Sequence, residues 1–118
     1  MKKKQQGLSD NYLKRIPYRV LNTWSLDENG IVTLEMENKG VWNNIFQKLF
    51  HKPKISYVHL EKSGSYLWQQ IDGKLTIAQL SEKADEEFGH EKNRVYGVAE
   101  YMRILESYHF IAFQEHEE

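Results

Sequence analysis

From Ser63 onward the apolar residues keep a helical spacing of about 3.6 residues, whereas upstream they alternate in short runs broken by one helical stretch. Asn22 to Leu26, a turn at Asp27-Glu28-Asn29-Gly30, and Ile31 to Glu37 form a predicted β-hairpin. Its second arm sets Val32, Leu34 and Met36 on a dry face against Thr33, Glu35 and Glu37 on a wet one, and Asn29-Gly30 supplies residues that tolerate positive φ. Val41 to Phe50 then places Trp42, Ile45, Phe46 and Leu49 at i, i+3, i+4 and i+7, an amphipathic helix stopped by His51-Lys52-Pro53. A third strand, Lys54 to Leu60, puts Val58 and Leu60 on one face and Ile55, Tyr57 and His59 on the other. Both faces of this strand carry apolar bulk.

Beyond Ser63 three helices are expected. The first carries Leu67, Trp68 and Ile71 and closes at Asp72-Gly73, with Gly73 in the left-handed C′ position. The second opens with the capping box Thr76-Ile77-Ala78-Gln79, buries Ile77, Leu80, Ala84 and Phe88, and ends at Gly89. The third runs from about Glu91 to Ser107, and Phe110 to Phe113 add an extended tail packed on the core. The fold class implied is α+β and winged-helix-like: a small three-stranded antiparallel sheet followed by a three-helix bundle, with an extra helix inserted before the third strand. The chain of 118 residues is sized for one core. Residues 1–15 are expected as a flexible tail, 16–114 as the domain, and 115–118 as an acidic tail.

Composition narrows the functional classes. Cysteine is absent, which removes disulfides, thiolate nucleophiles and cysteine-held metal centres, and fits a cytoplasmic location. Met1-Lys2-Lys3-Lys4 is followed by polar residues, not by the apolar core of a signal peptide, and no run of apolar residues is long enough for a membrane span. The five histidines, His51, His59, His90, His109 and His116, show no helical i, i+4 pairing, so no metal is expected. Ser63-Gly64-Ser65 sits at a helix start and reads as capping, and the carboxylates cluster in solvated runs such as Asp85-Glu86-Glu87. With no cofactor loop and no nucleophile, the chain is expected to be no enzyme.

Sixteen basic residues against 17 acidic ones leave no broad cationic field for nucleic acid. A winged-helix architecture still keeps DNA binding or a transcription-associated role as the alternative, with the third helix as reader. That helix mixes Lys92, Arg94 and Arg103 with Glu91, Glu100 and Glu106, a poor balance for gripping phosphates.

The same helix points to peptide binding. Val98, Met102 and Leu105 suffice as a core stripe, yet Val95, Tyr101, Ile104 and Tyr108 add a second apolar face, with Gly97 between. One reading buries both faces, against the other helices and against the sheet. The other lets the second face line a groove beside the third strand, where an extended peptide adds to the open edge. Candidate contacts are Lys54, Ile55, Ser56, Tyr57, Val58 and His59 on the strand and Arg94, Gly97, Tyr101 and Ile104 on the helix. Ile55 and Tyr57 would form the strand wall, and Arg94 and Arg103 would offer cationic ends to an acidic peptide.

The stretch from Ser56 to Ile77, with the strand ending in Leu60-Glu61, the helical pair Leu67-Trp68, the Asp72-Gly73 turn and the Thr76 cap, resembles the PqqD family. Val98, Met102, Leu105 and the ending Tyr108-His109-Phe110-Ile111 match its C-terminal pattern, so the likeness spans roughly Lys54 to Phe113. Two departures stand beside it: the helix Val41 to Phe50 is an insertion, and a glycine usual near the end of the last helix is replaced around Tyr108-His109. The resemblance implies a non-catalytic recognition element that binds the leader of a ribosomally made precursor peptide between its third strand and third helix. It also implies a partner modifying enzyme, often a radical S-adenosylmethionine protein.

Overall fold

A computed structural model describes residues 10–37 and 55–115. Within them the chain runs α1 (Asp10–Leu13), β1 (Pro17–Arg19), β2 (Trp24–Leu26), β3 (Val32–Glu37), β4 (Ile55–His59), α2 (Lys62–Gln70), α3 (Ile77–Phe88), α4 (Arg94–Ser107) and β5 (Ile111–Phe113). It is a mixed α+β chain with small antiparallel sheets and several helices. The expected helix Val41 to Phe50, Lys54 and residues 1–9 and 116–118 lie outside the described residues.

The hairpin forms where alternation places it. β3 is the centre of an antiparallel sheet ordered β2-β3-β4, with Trp24 opposite Leu34 and Leu34 opposite Val58. Val32 and Leu34 are fully buried. The turn is organised by Asp27, whose carboxylate accepts from the amides of Asn29 (2.8 Å) and Ile31 (3.0 Å). Gly30 alone in this turn takes a positive φ, 82°; Asn29, expected to share that role, does not.

The helices close over the dry face. Trp68 of α2 is buried and meets Trp24 edge to face at 6.0 Å. Ser65, fully buried, ties α2 to the sheet: its hydroxyl accepts from the Val32 amide (2.8 Å) and donates to the Leu60 carbonyl (3.2 Å). The hydroxyl thus fills the last rung of the β3–β4 ladder and satisfies two buried main-chain groups. Gly73 is left-handed as expected, at φ 80°, but it lies two residues past the C-cap Ile71 and not in the C′ position. The capping box of α3 is present in both directions, Gln79 amide to Thr76 Oγ1 and Thr76 amide to Gln79 Oε1. Ile77, Leu80 and Ala84 are buried, but Phe88 is 41% exposed. In the last turn of α3 its ring lies against Tyr66 rather than in the core, with centroids 5.4 Å apart.

Two features depart further from the sequence expectation. β5 pairs with β1, Pro17 opposite Phe113 and Arg19 opposite Ile111, as a second two-stranded sheet. The stretch expected as tail is folded from Asp10. Tyr12 and Leu13 pack on the core, the Tyr12 ring meets Phe113 at 5.9 Å, and the Arg15 guanidinium lies 4.2 Å over the same ring. The Arg15 carbonyl also accepts from the Ile77 amide at the start of α3 (3.0 Å).

Helix α4 begins at Arg94, three residues after the expected Glu91, and ends without glycine. His109 takes φ 66°; its amide donates to the Glu106 carbonyl (2.8 Å), and the Phe110 amide donates to Leu105 (3.0 Å). This is a Schellman ending with buried Leu105 and Phe110 as its apolar pair, and histidine in the position glycine usually fills. Among the described residues no helix is long and apolar enough to cross a membrane.

Candidate functional site

The geometry of β4 follows from its ladder. The Leu60 amide donates to the Val32 carbonyl (2.9 Å), and pairing proceeds residue by residue to Ile55 opposite Glu37. In an antiparallel ladder this phase turns the main-chain groups of Ser56 and Val58 toward β3 and those of Tyr57 and His59 the other way. Among the described residues no strand pairs with β4 on that outward side.

The same register fixes the side chains. Val58 faces Leu34 and Ser56 faces Met36, on the core side, whereas Tyr57 faces Glu35 and His59 faces Thr33 on the wet side. His59 Nδ1 and Thr33 Oγ1 are hydrogen-bonded at 2.7 Å. Tyr57 is 59% exposed and so does not form the groove wall that the sequence expectation assigned to it. Parity decides this: Tyr57 is outside the core, but on the far face of the sheet from the helices. On the core side of the strand Ser56 is half-buried and Val58 is 36% exposed.

Between the end of β4, the start of α2 and the first half of α4 lies a cavity of about 540 Å³. This is within the range of roughly 300–1,000 Å³ usual for ligand pockets. Its floor is Leu67, Ala84 and Val98, all buried. Four predicted contacts, His59, Arg94, Gly97 and Tyr101, meet here, while Ser56, Tyr57 and Val58 run along the strand outside it. The stripe Gly97, Tyr101, Ile104, Tyr108 continues outward along α4, with Ile104 and Tyr108 exposed. The second face of this helix is therefore neither wholly buried nor wholly open.

Electrostatics correct one expectation. Arg94 is mostly buried and already engaged: Nε donates to Asp85 Oδ1, Nη2 donates to the Gly89 carbonyl (2.8 Å), and Glu91 lies 3.4 Å away. Burial pushes the Asp85 carboxyl upward, but hydrogen bonds from Arg94, His90 and the Glu91 amide outweigh it and hold the group below its ordinary value. Arg103 is paired with Glu100. Neither arginine is a free cation for an acidic peptide; Arg94 instead fastens the end of α3 to the start of α4.

Glu61, Ser63 and Gly64 at the start of α2 and Glu91 ahead of α4 line the cavity without having been expected as contacts: Ser63-Gly64-Ser65 reads as a helix cap, whereas the N-cap is Glu61, no side chain caps the helix, and both serines lie inside it. Gly64 is where Tyr101 rests. A Cβ on Gly64 would lie 2.5 Å from the Tyr101 hydroxyl oxygen, so any larger residue displaces that ring. Burial, with a smaller effect of the Glu61 carboxylate, pushes the Tyr101 phenol up to about 12, and the hydroxyl has no hydrogen-bond partner among the described residues. Gly97 is the opposite case. A Cβ there would meet nothing within 4 Å, so no contact within the described structure demands glycine, although glycine in a helix interior costs about 1 kcal/mol relative to alanine.

Among the described residues no three histidine or acidic side chains gather into a metal-ligating group. No family model, curated protein or solved structure matches the chain.

Proposed function

We propose that this chain is a non-catalytic peptide-binding module. In this reading β2–β4 and α2–α4 act as a winged-helix-like unit of the PqqD kind. It captures the leader of a ribosomally made precursor peptide by strand addition to β4 and presents it to a separate modifying enzyme, such as a radical S-adenosylmethionine protein. The observation that carries the reading is the outward edge of β4 running into a cavity floored by Leu67, Ala84 and Val98 and walled by α4. An added strand would take main-chain hydrogen bonds from Tyr57 and His59 and send alternate side chains toward α4. The DNA-reading alternative is less well supported, because Arg94 and Arg103 of the would-be recognition helix are both paired with carboxylates.

The test is a chemical-shift titration of the isotopically labelled chain with leader segments of short precursors encoded beside its gene. Shifts should concentrate on Tyr57, His59, Gly97 and Tyr101. Tyr57→Pro, which removes an outward amide and no rung to β3, should abolish binding while circular dichroism stays unchanged. Shifts confined to Trp24–Leu26 and β3, with β4 and α4 unmoved, would place the peptide elsewhere and end this reading.

A further inference from the structure

We propose that β4 is also a self-association edge: without a bound peptide, two copies of the chain pair their β4 strands antiparallel about a two-fold axis at Tyr57. The inference goes beyond the peptide-binding reading and does not require it, but it uses the same edge. A leader and a second copy would therefore exclude one another.

The edges of the molecule supply the first argument. An open strand edge is a template for another strand, and natural chains protect such edges by keeping them short or by placing charges or proline on them. β1, β2 and β5 have three residues each, whereas β4 has five, and its sequence Ile55-Ser56-Tyr57-Val58-His59 contains no lysine, arginine, acidic residue or proline. Among the described residues it is the longest strand with an unpaired side, and neither a fixed charge nor proline guards it. The formal net charge of the whole chain is only -1, so two copies approach with little mutual repulsion.

Register supplies the second argument. The main-chain groups of Ile55, Tyr57 and His59 point away from β3, because the phase set by the Leu60–Val32 bond alternates along the strand. A two-fold axis beside Tyr57 sets that residue opposite its own copy and His59 opposite Ile55 of the second copy, so every outward group of β4 finds a partner. At the axis tyrosine meets tyrosine on the exposed wet face, an uncharged aromatic pair of the kind that stabilises neighbouring strands. On the core side the exposed Val58 gains cover from Ser56 of the second copy. A contact built on one strand is small, so the dimer is weak, with a Kd of roughly 10 µM to 1 mM.

The experiment follows the labelled full chain by sedimentation and by amide chemical shifts from about 10 µM to about 1 mM. The weight-average mass should rise from one chain toward two, with concentration-dependent shifts at Ile55, Tyr57 and His59. Tyr57→Lys and Tyr57→Glu, which set like charges against each other at the axis, should each weaken self-association at least tenfold while circular dichroism stays unchanged. Both are made with Glu35→Gln, since Glu35 faces residue 57 from β3, and are compared with Glu35→Gln alone. Mixed in equal amounts, the two variants should pair again, because the mixed dimer sets lysine opposite glutamate. The proposal is overturned if the parent stays a single chain throughout, if the concentration-dependent shifts lie at Trp24–Leu26 or on α4 alone, or if the mixture associates no better than either variant. A leader that shifts β4 of a chain that never dimerises would remove this inference alone. A dimer that forms as described and is not dissociated by the leader would remove strand addition alone.

Discussion

The two faces of α4 are built from similar residues and do different things. Val98, Ala99, Met102 and Leu105 point inward and are almost entirely buried, while Gly97, Tyr101, Ile104 and Tyr108 run from the cavity out to solvent. Hydropathy alone does not separate them; what covers each face does. The inner stripe is sealed by packing against α3 and the rest of the core. The outer one has Gly64 under Tyr101 at one point and open space at Gly97 one turn away.

The widest separation between the faces should come from truncating one residue on each. Met102→Ala leaves a hole in a sealed core and should cost about 2–5 kcal/mol. Ile104→Ala should cost less than about 0.5 kcal/mol. Denaturant unfolding of the two variants measures the difference, and equal losses would mean that the outer face is buried after all.

Gly64→Ala probes the boundary between the faces. The added methyl collides with the Tyr101 ring, so the substitution should cost about 1–3 kcal/mol, the usual range for overpacking. Paired with Tyr101→Ala, the cost should be much less than additive, because the clashing ring is gone. Additive losses would show that the two residues do not touch.

Both faces end together at His109, in a conformation that disfavours a side chain. His109→Gly should therefore stabilise the chain by about 1 kcal/mol, seen as a higher Tm with unchanged circular dichroism. Destabilisation would mean that the imidazole contributes more than its backbone strain costs.

The smallest effect concerns the start of α4, where Asp85 holds Arg94. The Asp85 carboxyl is held below its ordinary value of 3.8, so the stability it lends is present above that value and is lost as pH falls through the lowered one. Asp85→Asn should lower the Tm slightly at neutral pH, and the gap from the parent should close in acid. A gap that persists in acid would assign the effect to packing instead of charge.

By itself the sequence determined the elements whose signals are local. Alternation in Val32, Leu34 and Met36 gave β3, the Thr76–Gln79 capping box gave the start of α3, and the spacing of Val98, Met102 and Leu105 gave the inner face of α4. It also made that helix apolar on two sides, which drew attention to Gly97 and Tyr101. Phe110 to Phe113 were legible as an extended, core-packed tail, but the three-residue strand β1 that pairs with them carries too little pattern to be read, and Tyr12 of α1 packs on Phe113 at the other end of the chain. Phe88 fits a core stripe by spacing, yet it falls in the last turn of α3, where its ring lies against Tyr66 and stays partly exposed. Only the tertiary structure put Tyr57 on the wet face, since a strand's alternation tells which residues share a side but not which side the helices cover. Only the tertiary structure brought Gly64 under Tyr101 and bound Arg94 to Asp85, because residues distant in the chain leave no periodic trace of meeting.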